Sequence, residues 1–238
     1  MSKNKLAKFA EMADFKNVVQ PEDISYNGTP YILKGKWCSD FFKNANSLTL
    51  ELGCGKGEYT VGLAQRVPNS NFIGVDIKGA RIWRGAKTAI ELGLGNAGFL
   101  RTRIDMIDNF FGEDEVSEIW ITFPDPQPKK QNKRLTSAHF LNLYRKICVN
   151  NARINLKTDS RLLHYYTRAL LEANGIKSLI ATDNLYNSPY ADVAFGIKTF
   201  YEQSFLNEGK NITLLSFNLA KDKPIVEIPK FEFDSYTL

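Results

Sequence analysis

The sequence contains few of the residues on which disulfide networks, metal sites and histidine-based catalysis depend. Cys38, Cys54 and Cys148 are odd in number and far apart, so they form neither a disulfide framework nor a zinc-binding pattern. This predicts a reducing cytoplasmic location and no metal centre. The two histidines, His139 and His164, lie in predicted helices without a partner pattern and are interpreted as surface or packing residues. Catalysis through histidine is therefore excluded.

Long apolar runs are also missing. No stretch reaches the about 18–20 apolar residues that a membrane span requires, and the lysine-bearing N-terminus has no apolar core of the kind found in a signal peptide. With 238 residues, 43% hydrophobic and 24% charged, the chain is expected to form one large soluble domain, or one domain with extensions. Its net charge of +5 is a moderate indication of a nucleic-acid partner.

A glycine-rich turn follows the first strongly apolar segment. Residues 48–52 (LTLEL) predict a strand, and Gly53, Gly55 and Gly57 follow it with G-x-G-x-G spacing before a helical pattern begins. This arrangement lets a ligand approach the backbone and the start of a helix. Glu51 requires a partner, because a strand interior rarely keeps an isolated carboxylate, and a nearby cationic ligand would supply one. The simpler alternative for the glycines is an ordinary tight turn.

Two further acidic residues follow the next predicted strands. Asp76 ends strand 71–76 and is placed to accept hydrogen bonds from the ribose hydroxyls of a nucleoside ligand. Asp105 follows strand 97–102 and could receive an adenine amino group. Asp76 alone has a simpler explanation as a helix N-cap. The glycine spacing differs from the G-x-G-x-x-G of dinucleotide sites, which disfavours a dehydrogenase.

A proline-rich basic loop follows the predicted strand 118–123. Asp125 lies between two prolines whose φ angles are fixed, and a rigid acid beside a basic loop suits an enzyme that acts on a polyanion. The cations of this loop are Lys129, Lys130, Lys133 and Arg134. A second basic set forms a stripe along a predicted helix, at Lys78, Arg81, Arg84 and Lys87. The alternatives are a surface turn with solvated lysines and a solvated helix face.

Strand and helix patterns alternate along most of the chain. The predicted strands are 48–52, 71–76, 97–102, 118–123, 152–157, 176–182 and 211–217. Alternation predicts an α/β fold with a doubly wound, mostly parallel seven-stranded sheet, helices on both faces, and functional residues at the C-terminal strand ends. We expect a basic and aromatic extension over 1–46, the main domain over 47–217 and a tail over 218–238. Pro224 and Pro229 would limit any strand in the tail to a sheet edge.

Four motifs in order resemble a known family. E-x-G-x-G-x-G at Glu51–Gly57 is similar to the first motif of class I S-adenosylmethionine-dependent methyltransferases, which are Rossmann-like. The segments FPDPQPKK at 123–130, LKTD at 156–159 and TFYE at 199–202 closely resemble motifs of the bacterial tRNA (guanine-N7-)-methyltransferase family. The resemblance runs from about residue 48 to residue 217 and implies a tRNA-modifying enzyme that forms 7-methylguanosine in the variable loop.

The resemblance also implies site residues. Cofactor contacts would fall on Glu51, the motif glycines, Asp76, Asp105 and Asp125, with Asp125 also matching the catalytic residue. Substrate contacts would fall on Lys129, Asp159, Thr199, Phe200, Tyr201 and Glu202. The other loop cations, Lys130, Lys133 and Arg134, would hold tRNA phosphates. The implied cofactor is S-adenosylmethionine and the implied partner is tRNA, bound by a monomer or homodimer.

Some positions depart from the family pattern. Gln127 replaces a tryptophan that would stack on a base, and Gln131 and Asn132 replace a common basic pair. Thr158 with Asp159 has a simpler explanation as a helix cap, and Tyr201 with Glu202 as a turn of amphipathic helix.

Two other functions stay open. One is a class I methyltransferase for amides or exocyclic amines, although its N/D-P-P-Y/F motif is absent, and the other is a non-catalytic RNA-binding module.

Overall fold

The computed structural model describes residues 3–21 and 29–232 and contains helices, strands and short turns of helix. The helices are α1 Lys3–Ala13, α2 Glu58–Arg66, α3 Gly79–Glu91, α4 Ala138–Tyr144, α5 Arg161–Ala173 and α6 Phe200–Asn207. The strands are β1 Val18–Val19, β2 Ser47–Leu52, β3 Ser70–Asp76, β4 Ala97–Arg101, β5 Val116–Thr122, β6 Cys148–Thr158, β7 Ser178–Thr182 and β8 Thr213–Leu219. None of the described helices is long and apolar enough to cross a membrane.

One sheet organises the described chain, with strand order β1-β4-β3-β2-β5-β6-β8-β7. In this order, the neighbouring strands from β1 as far as β6 pair in parallel, while β8 runs antiparallel to β6 and β7. The α/β class and the mostly parallel sheet are confirmed, and all seven predicted strands are present. The largest difference in bounds is at β6, which begins at Cys148 rather than at residue 152.

The sheet has eight strands rather than seven. The additional strand, β1, has two residues and pairs with β4 through Val18↔Phe99 and Val19↔Leu100. Two residues are too few to show the periodicity by which strands are predicted, so sequence patterns could not reveal it. The preceding helix α1 is held on α3, because Glu11 accepts hydrogen bonds from Lys87 Nζ and Trp83 Nε1, both at 2.7 Å.

Strand residues alternate between two cores, one on each face of the sheet. In β2, Leu48, Leu50 and Leu52 face a core that includes residues of α4 and α5. Phe99 of β4 and Trp120 of β5 face the other core, which includes residues of α2 and α3. Burial on both faces explains why these strands are apolar runs, and it confirms helices on both sides of the sheet. Because the strands from β1 to β6 in the sheet order are parallel, their C-terminal ends lie at one edge of the sheet.

The C-terminal segment does not extend the sheet. The edge strand that Pro224 and Pro229 would permit is not formed in the described part of the tail. Residues 224–232 instead lie as an irregular segment, and Ile225 is buried in the core beside α4 and α5. Side-chain hydrogen bonds replace the ladder of a strand, for example between Asn142 and the backbone of Ile225.

Candidate active site

The glycine turn occupies the C-terminal end of β2. Gly53, Gly55 and Gly57 have φ angles of +77°, +56° and +70°, a region that favours glycine. A side chain at Gly57 would also clash, since its β-carbon would lie 2.5 Å from the ring of Phe99. At Gly53 the space is open, because no atom lies within 4 Å of the place that a β-carbon would take. The turn therefore exposes backbone to a ligand at its first glycines and packs tightly at its last.

Asp76 fixes the turn from the neighbouring strand. Its carboxylate accepts hydrogen bonds from the backbone N–H of Gly55 at 3.0 Å and of Lys78 at 2.8 Å. The sequence predicted Asp76 at the end of the second strand, and the structure places it there, half-buried beside the glycines. The second of these bonds also explains how the chain turns into α3.

Glu51 is buried behind the turn and has partners within the protein. It accepts hydrogen bonds from the Thr60 backbone N–H at 2.8 Å, from the Thr60 hydroxyl, and from the Thr122 hydroxyl at 2.7 Å. Burial raises the pKa of Glu51 to about 7, although these hydrogen bonds act in the opposite direction. The two threonines were not predicted, since nothing in their sequence context indicates a contact with Glu51.

A small cavity of about 80 Å³ opens in front of these residues. Its walls come from the glycine turn, from the ends of β2 and β5, and from the start of α6. They are Glu51, Gly53, Cys54, Gly55, Lys56, Glu58, Arg81, Thr122, Phe123, Thr199 and Tyr201. A buried carboxylate and a glycine-rich backbone make this cavity suitable for a cationic ligand.

A second cleft of about 380 Å³ adjoins the first. Two carboxylates line it, Asp125 and Asp159, together with aromatic and proline side chains. The residues Arg81, Phe123 and Tyr201 line both spaces. Burial raises the pKa of Asp159, which is half-exposed in this cleft. The C-terminal strand ends thus bring together two acids that are well separated in the sequence.

The proline loop has an unusual backbone. Phe123 and Gln127 have φ angles of +48° and +47°, in the left-handed region that side chains other than glycine rarely adopt. They flank Asp125, which is exposed and accepts a hydrogen bond from the Gln127 backbone N–H at 2.9 Å. Such conformations concentrate at functional sites because the surrounding structure must hold them.

The loop cations separate into two kinds. The lysines at 129, 130 and 133 are exposed, as a phosphate-binding function requires. Arg134 is only 1% exposed: its guanidinium lies 4.3 Å from the centre of the Tyr166 ring, and its Nε donates to the Pro126 carbonyl at 3.2 Å. The expectation that Arg134 contacts tRNA phosphates is therefore revised, because in this structure it anchors the loop from inside.

The residues at the start of α6 are also of two kinds, exposed and buried. Phe200 and Tyr201 are 62% and 48% exposed beside the cavities, with Lys56 Nζ 4.5 Å from the Phe200 ring centre. Thr199 and Glu202 form a capping box. Glu202 is fully buried and pairs with Lys157 Nζ at 2.8 Å, so the structure gives it no direct access to a substrate.

Lys157 was not predicted as a site residue. It is the charged residue at the end of the buried strand β6, and its Nζ also donates to the Ile197 carbonyl at 2.8 Å. The hydroxyl of Tyr186 donates to Oε1 of Glu202, the same oxygen that lies 2.8 Å from Lys157 Nζ. The available signal was a lysine inside an apolar run, which requires a buried partner.

Comparison with known proteins identifies the family. A family model described as "Putative methyltransferase" matches residues 45–215. The tRNA (guanine-N(7)-)-methyltransferase of Bacteroides fragilis is 50% identical over 240 residues, which cover 99% of this chain and 94% of that protein. The enzyme of the same description from Christiangramia forsetii is 51% identical, over 92% of this chain and 99% of that protein. The chain belongs to the tRNA (guanine-N(7)-)-methyltransferase family.

Solved structures confirm the fold of this family member. The 16S rRNA methyltransferase KamB superposes with a TM-score of 0.57 at 14% identity, covering 74% of this chain and 88% of that one. A SAM-dependent methyltransferase from Aquifex aeolicus superposes with a TM-score of 0.51 at 14% identity, covering 73% and 82%. The Rossmann-like class I methyltransferase architecture expected from the sequence is thus confirmed.

Asp105, which the family motifs imply as a cofactor contact, is among the implied residues that lie outside both cavities. Asp105 is on a short helical turn after β4 and does not line either of the two spaces described above. Its carboxylate pairs with Arg103, whose Nε lies 2.9 Å away. An adenine amino group bound to Asp105 would share its carboxylate with Arg103 or displace Arg103.

Proposed function

We propose that this chain transfers the methyl group of S-adenosylmethionine to N7 of a guanosine in tRNA, which gives 7-methylguanosine. The proposed target is the variable-loop guanosine at position 46 in tRNA numbering. The adjoining cavities carry the proposal, because they share Arg81, Phe123 and Tyr201 as walls. A methyl donor in the first and a base in the second would meet at these residues, as in-line transfer requires.

The residues of the first cavity fit S-adenosylmethionine. Glu51 provides a buried carboxylate for a cation, and the turn at Gly53 and Gly55 leaves room for the ligand beside exposed backbone. Asp76 lies beside this turn and is proposed to hold the ribose. When bound, the cofactor supplies a methyl group on a positively charged sulfur.

The second cleft supports recognition of guanine. Guanine N7 carries a lone pair and no proton, so its methylation requires no general base. The Watson–Crick edge of guanine donates hydrogen bonds from N1 and from the amino group, and either Asp125 or Asp159 is placed to accept them. The product is a cationic purine, which a nearby carboxylate stabilises. Asp125 is thus proposed to orient the base and to stabilise developing charge, without accepting a proton.

Exposed cations near the cleft support binding of a large polyanion. The proline loop presents Lys129, Lys130 and Lys133, and Lys78, Arg81 and Arg84 are exposed on or beside α3. The three cysteines are free thiols, which supports the proposed cytoplasmic location. The chain is proposed to act as a monomer or homodimer, and sedimentation measurements with and without tRNA distinguish the two.

The decisive experiment combines nucleoside analysis with one substitution. The purified protein is incubated with unmodified tRNA and labelled S-adenosylmethionine, and the digested tRNA is searched for 7-methylguanosine. We expect this nucleoside from the wild-type protein and a rate lower by about 100-fold for Asp125→Ala. Glu172→Ala, which removes an exposed carboxylate of α5, is the matched control and retains the activity.

A second substrate identifies the methylated atom. In tRNA containing 7-deazaguanosine at the target position, N7 is replaced by carbon, so no methyl group should be transferred there. Methylation of the substituted nucleotide in this tRNA would mean that an amide or exocyclic amine is the acceptor. A protein without affinity for S-adenosylmethionine would instead favour a non-catalytic RNA-binding module, and cofactor binding without transfer to either tRNA would point to another substrate.

A further inference from the structure

The C-terminal segment crosses the outside of α4 and α5 and is fixed by side-chain amides. Asn142 donates to the Ile225 carbonyl at 2.8 Å and accepts from the Ile225 N–H at 2.9 Å. Asn174 makes the equivalent pair with Val226, at 2.9 and 2.8 Å. Each amide thus replaces one rung of a strand ladder and fixes the backbone at residues 225 and 226.

Glu227 connects this segment to the proline loop. Its carboxylate accepts hydrogen bonds from Tyr166 Oη at 2.8 Å, from Gln131 Nε2 at 3.1 Å and from the Ala138 backbone N–H at 3.1 Å. Gln131 belongs to the loop and continues the contact, since its Oε1 accepts from the Phe231 N–H at 2.8 Å. This is a structural use for a position where the family commonly has a basic residue.

A second connection runs through Arg134. The ring of Tyr166 packs against its guanidinium, and the guanidinium donates to the carbonyl of Pro126, the residue after Asp125. Burial lowers the pKa of Arg134, and the negative charge of Glu227 acts in the opposite direction. A buried cation needs such a compensating charge. The negative charge of Glu227 therefore helps Arg134 to hold the loop.

The loop needs anchors of this kind. Phe123 and Gln127, on either side of Asp125, have left-handed backbones, which side chains other than glycine rarely adopt and which persist only where the surroundings hold them. We propose that Glu227 is a positioning residue, which through Gln131, Tyr166 and Arg134 holds the proline loop with Asp125 at the cleft. This proposal rests on the proposed methyl transfer for its effect on rate.

The test compares substitutions that release the loop with one that loosens the tail elsewhere. Glu227→Gln removes the charge at nearly constant size, and Tyr166→Phe removes the hydroxyl while keeping the ring under Arg134. Asn174→Ala is the control, because it breaks the contacts of Val226 and touches no loop residue. For each protein, kcat and KM for tRNA, the Kd of S-adenosylmethionine and Tm are measured.

We expect Glu227→Gln to lower kcat by about 10- to 100-fold with an unchanged Kd for the cofactor, since the cofactor cavity contains none of these residues. Tyr166→Phe should lower kcat less, in the same direction. Asn174→Ala should lower Tm without lowering kcat at a temperature where all variants are folded. Equal kcat values for Glu227→Gln and the wild type, or decreases in kcat that follow Tm in all three variants, would overturn the proposal.

Hydrogen exchange supplies a readout that is independent of activity. The backbone amides of Lys130 and Arg134 donate within the loop, at 3.2 and 3.0 Å. Their exchange should become faster in Glu227→Gln and Tyr166→Phe but not in Asn174→Ala. Unchanged exchange in the first two variants rejects the anchoring, whatever the activity. A wild-type protein that forms no 7-methylguanosine refutes the proposed function, while faster exchange would still support the anchoring.

Discussion

At the scale of single residues, Glu51 makes the first testable prediction. Its pKa of about 7 lies above the ordinary 4.5 because burial disfavours the carboxylate, so the ligand-free protein should lose stability as the pH rises from about 4.5 to about 7. A cationic ligand favours the ionised form, so affinity for S-adenosylmethionine should rise through the same pKa, by up to about tenfold per pH unit below it. Urea unfolding across this range measures the pH dependence of stability, and titration calorimetry measures the pH dependence of cofactor affinity.

Glu51→Gln should remove the contribution of this residue to both pH dependences, that of stability and that of cofactor affinity. It should also weaken cofactor binding at pH values above about 7. Glu118→Gln is a matched control, because Glu118 is another carboxylate whose pKa is raised by burial, near the opposite end of β5 from the cavity. A cofactor affinity that stays constant across the pH range in the wild-type protein would show that Glu51 does not meet the cation.

The same residue shows how far a sequence can be interpreted at this scale. A glutamate inside an apolar strand indicated that a partner was required, and the structure supplies partners within the protein and a cavity that Glu51 lines. The hydroxyls of Thr60 and Thr122 could not be anticipated, because Thr122 lies far along the chain and meets Glu51 only once β2 pairs with β5. The opposite holds for Arg134, which sequence context groups with solvated lysines although tertiary packing buries it.

At the scale of secondary-structure elements, α6 depends on a buried ion pair. Lys157 on β6 and Glu202 on α6 are both fully buried, with Nζ and Oε1 2.8 Å apart. Lys157→Met leaves the Glu202 carboxylate buried and unpaired, which should lower the free energy of unfolding by about 3–5 kcal/mol. The double substitution Lys157→Met with Glu202→Leu removes both charges and should lower it by less. Urea denaturation of the wild type, the two single variants and the double variant measures the coupling between Lys157 and Glu202 in a double-mutant cycle.

The control for this cycle is Lys198→Met. Lys198 is a neighbouring exposed lysine whose Nζ lies 4.6 Å from the Tyr186 ring centre, and its removal should change stability by about 0–1 kcal/mol. If the double variant were as unstable as the sum of the two single variants, the pair would not be coupled, and α6 would have to be anchored by its apolar contacts alone.

Elements differed in how well local sequence predicted them. The capping box of Thr199 and Glu202, which was not among our predictions, was recognisable because both residues lie within one helical turn. The ion pair from Glu202 to Lys157 was not recognisable, since it spans 45 residues and forms only where the end of β6 meets α6. The tail showed the same limit, because the alternation around residues 224–232 resembles an edge strand, while side-chain amides of α4 and α5 fix it as an irregular segment.

At the scale of the whole molecule, the parallel sheet was predictable because every strand from β2 to β6 is a local apolar run between helical patterns. That order alone gathers Asp76, Asp125 and Asp159 at one edge of the sheet. The net charge of +5 indicates a polyanion but does not show which cations contact it. The burial of each cation supplies that distinction, and the dependence of binding on salt makes it measurable.

Removing one phosphate-binding cation should reduce the slope of log K against log salt by about 1. Lys129→Ala and Lys133→Ala remove exposed cations of the proline loop, so each should weaken tRNA binding and lower this slope while leaving Tm unchanged. Arg134→Ala removes a cation of the same loop that is buried against Tyr166, so it should lower Tm and leave the slope unchanged. Fluorescence titration of tRNA at several salt concentrations compares them. A slope lowered equally by Arg134→Ala would mean that the loop turns Arg134 outward when tRNA binds, and the anchoring by Glu227 would then have to be released during each catalytic cycle.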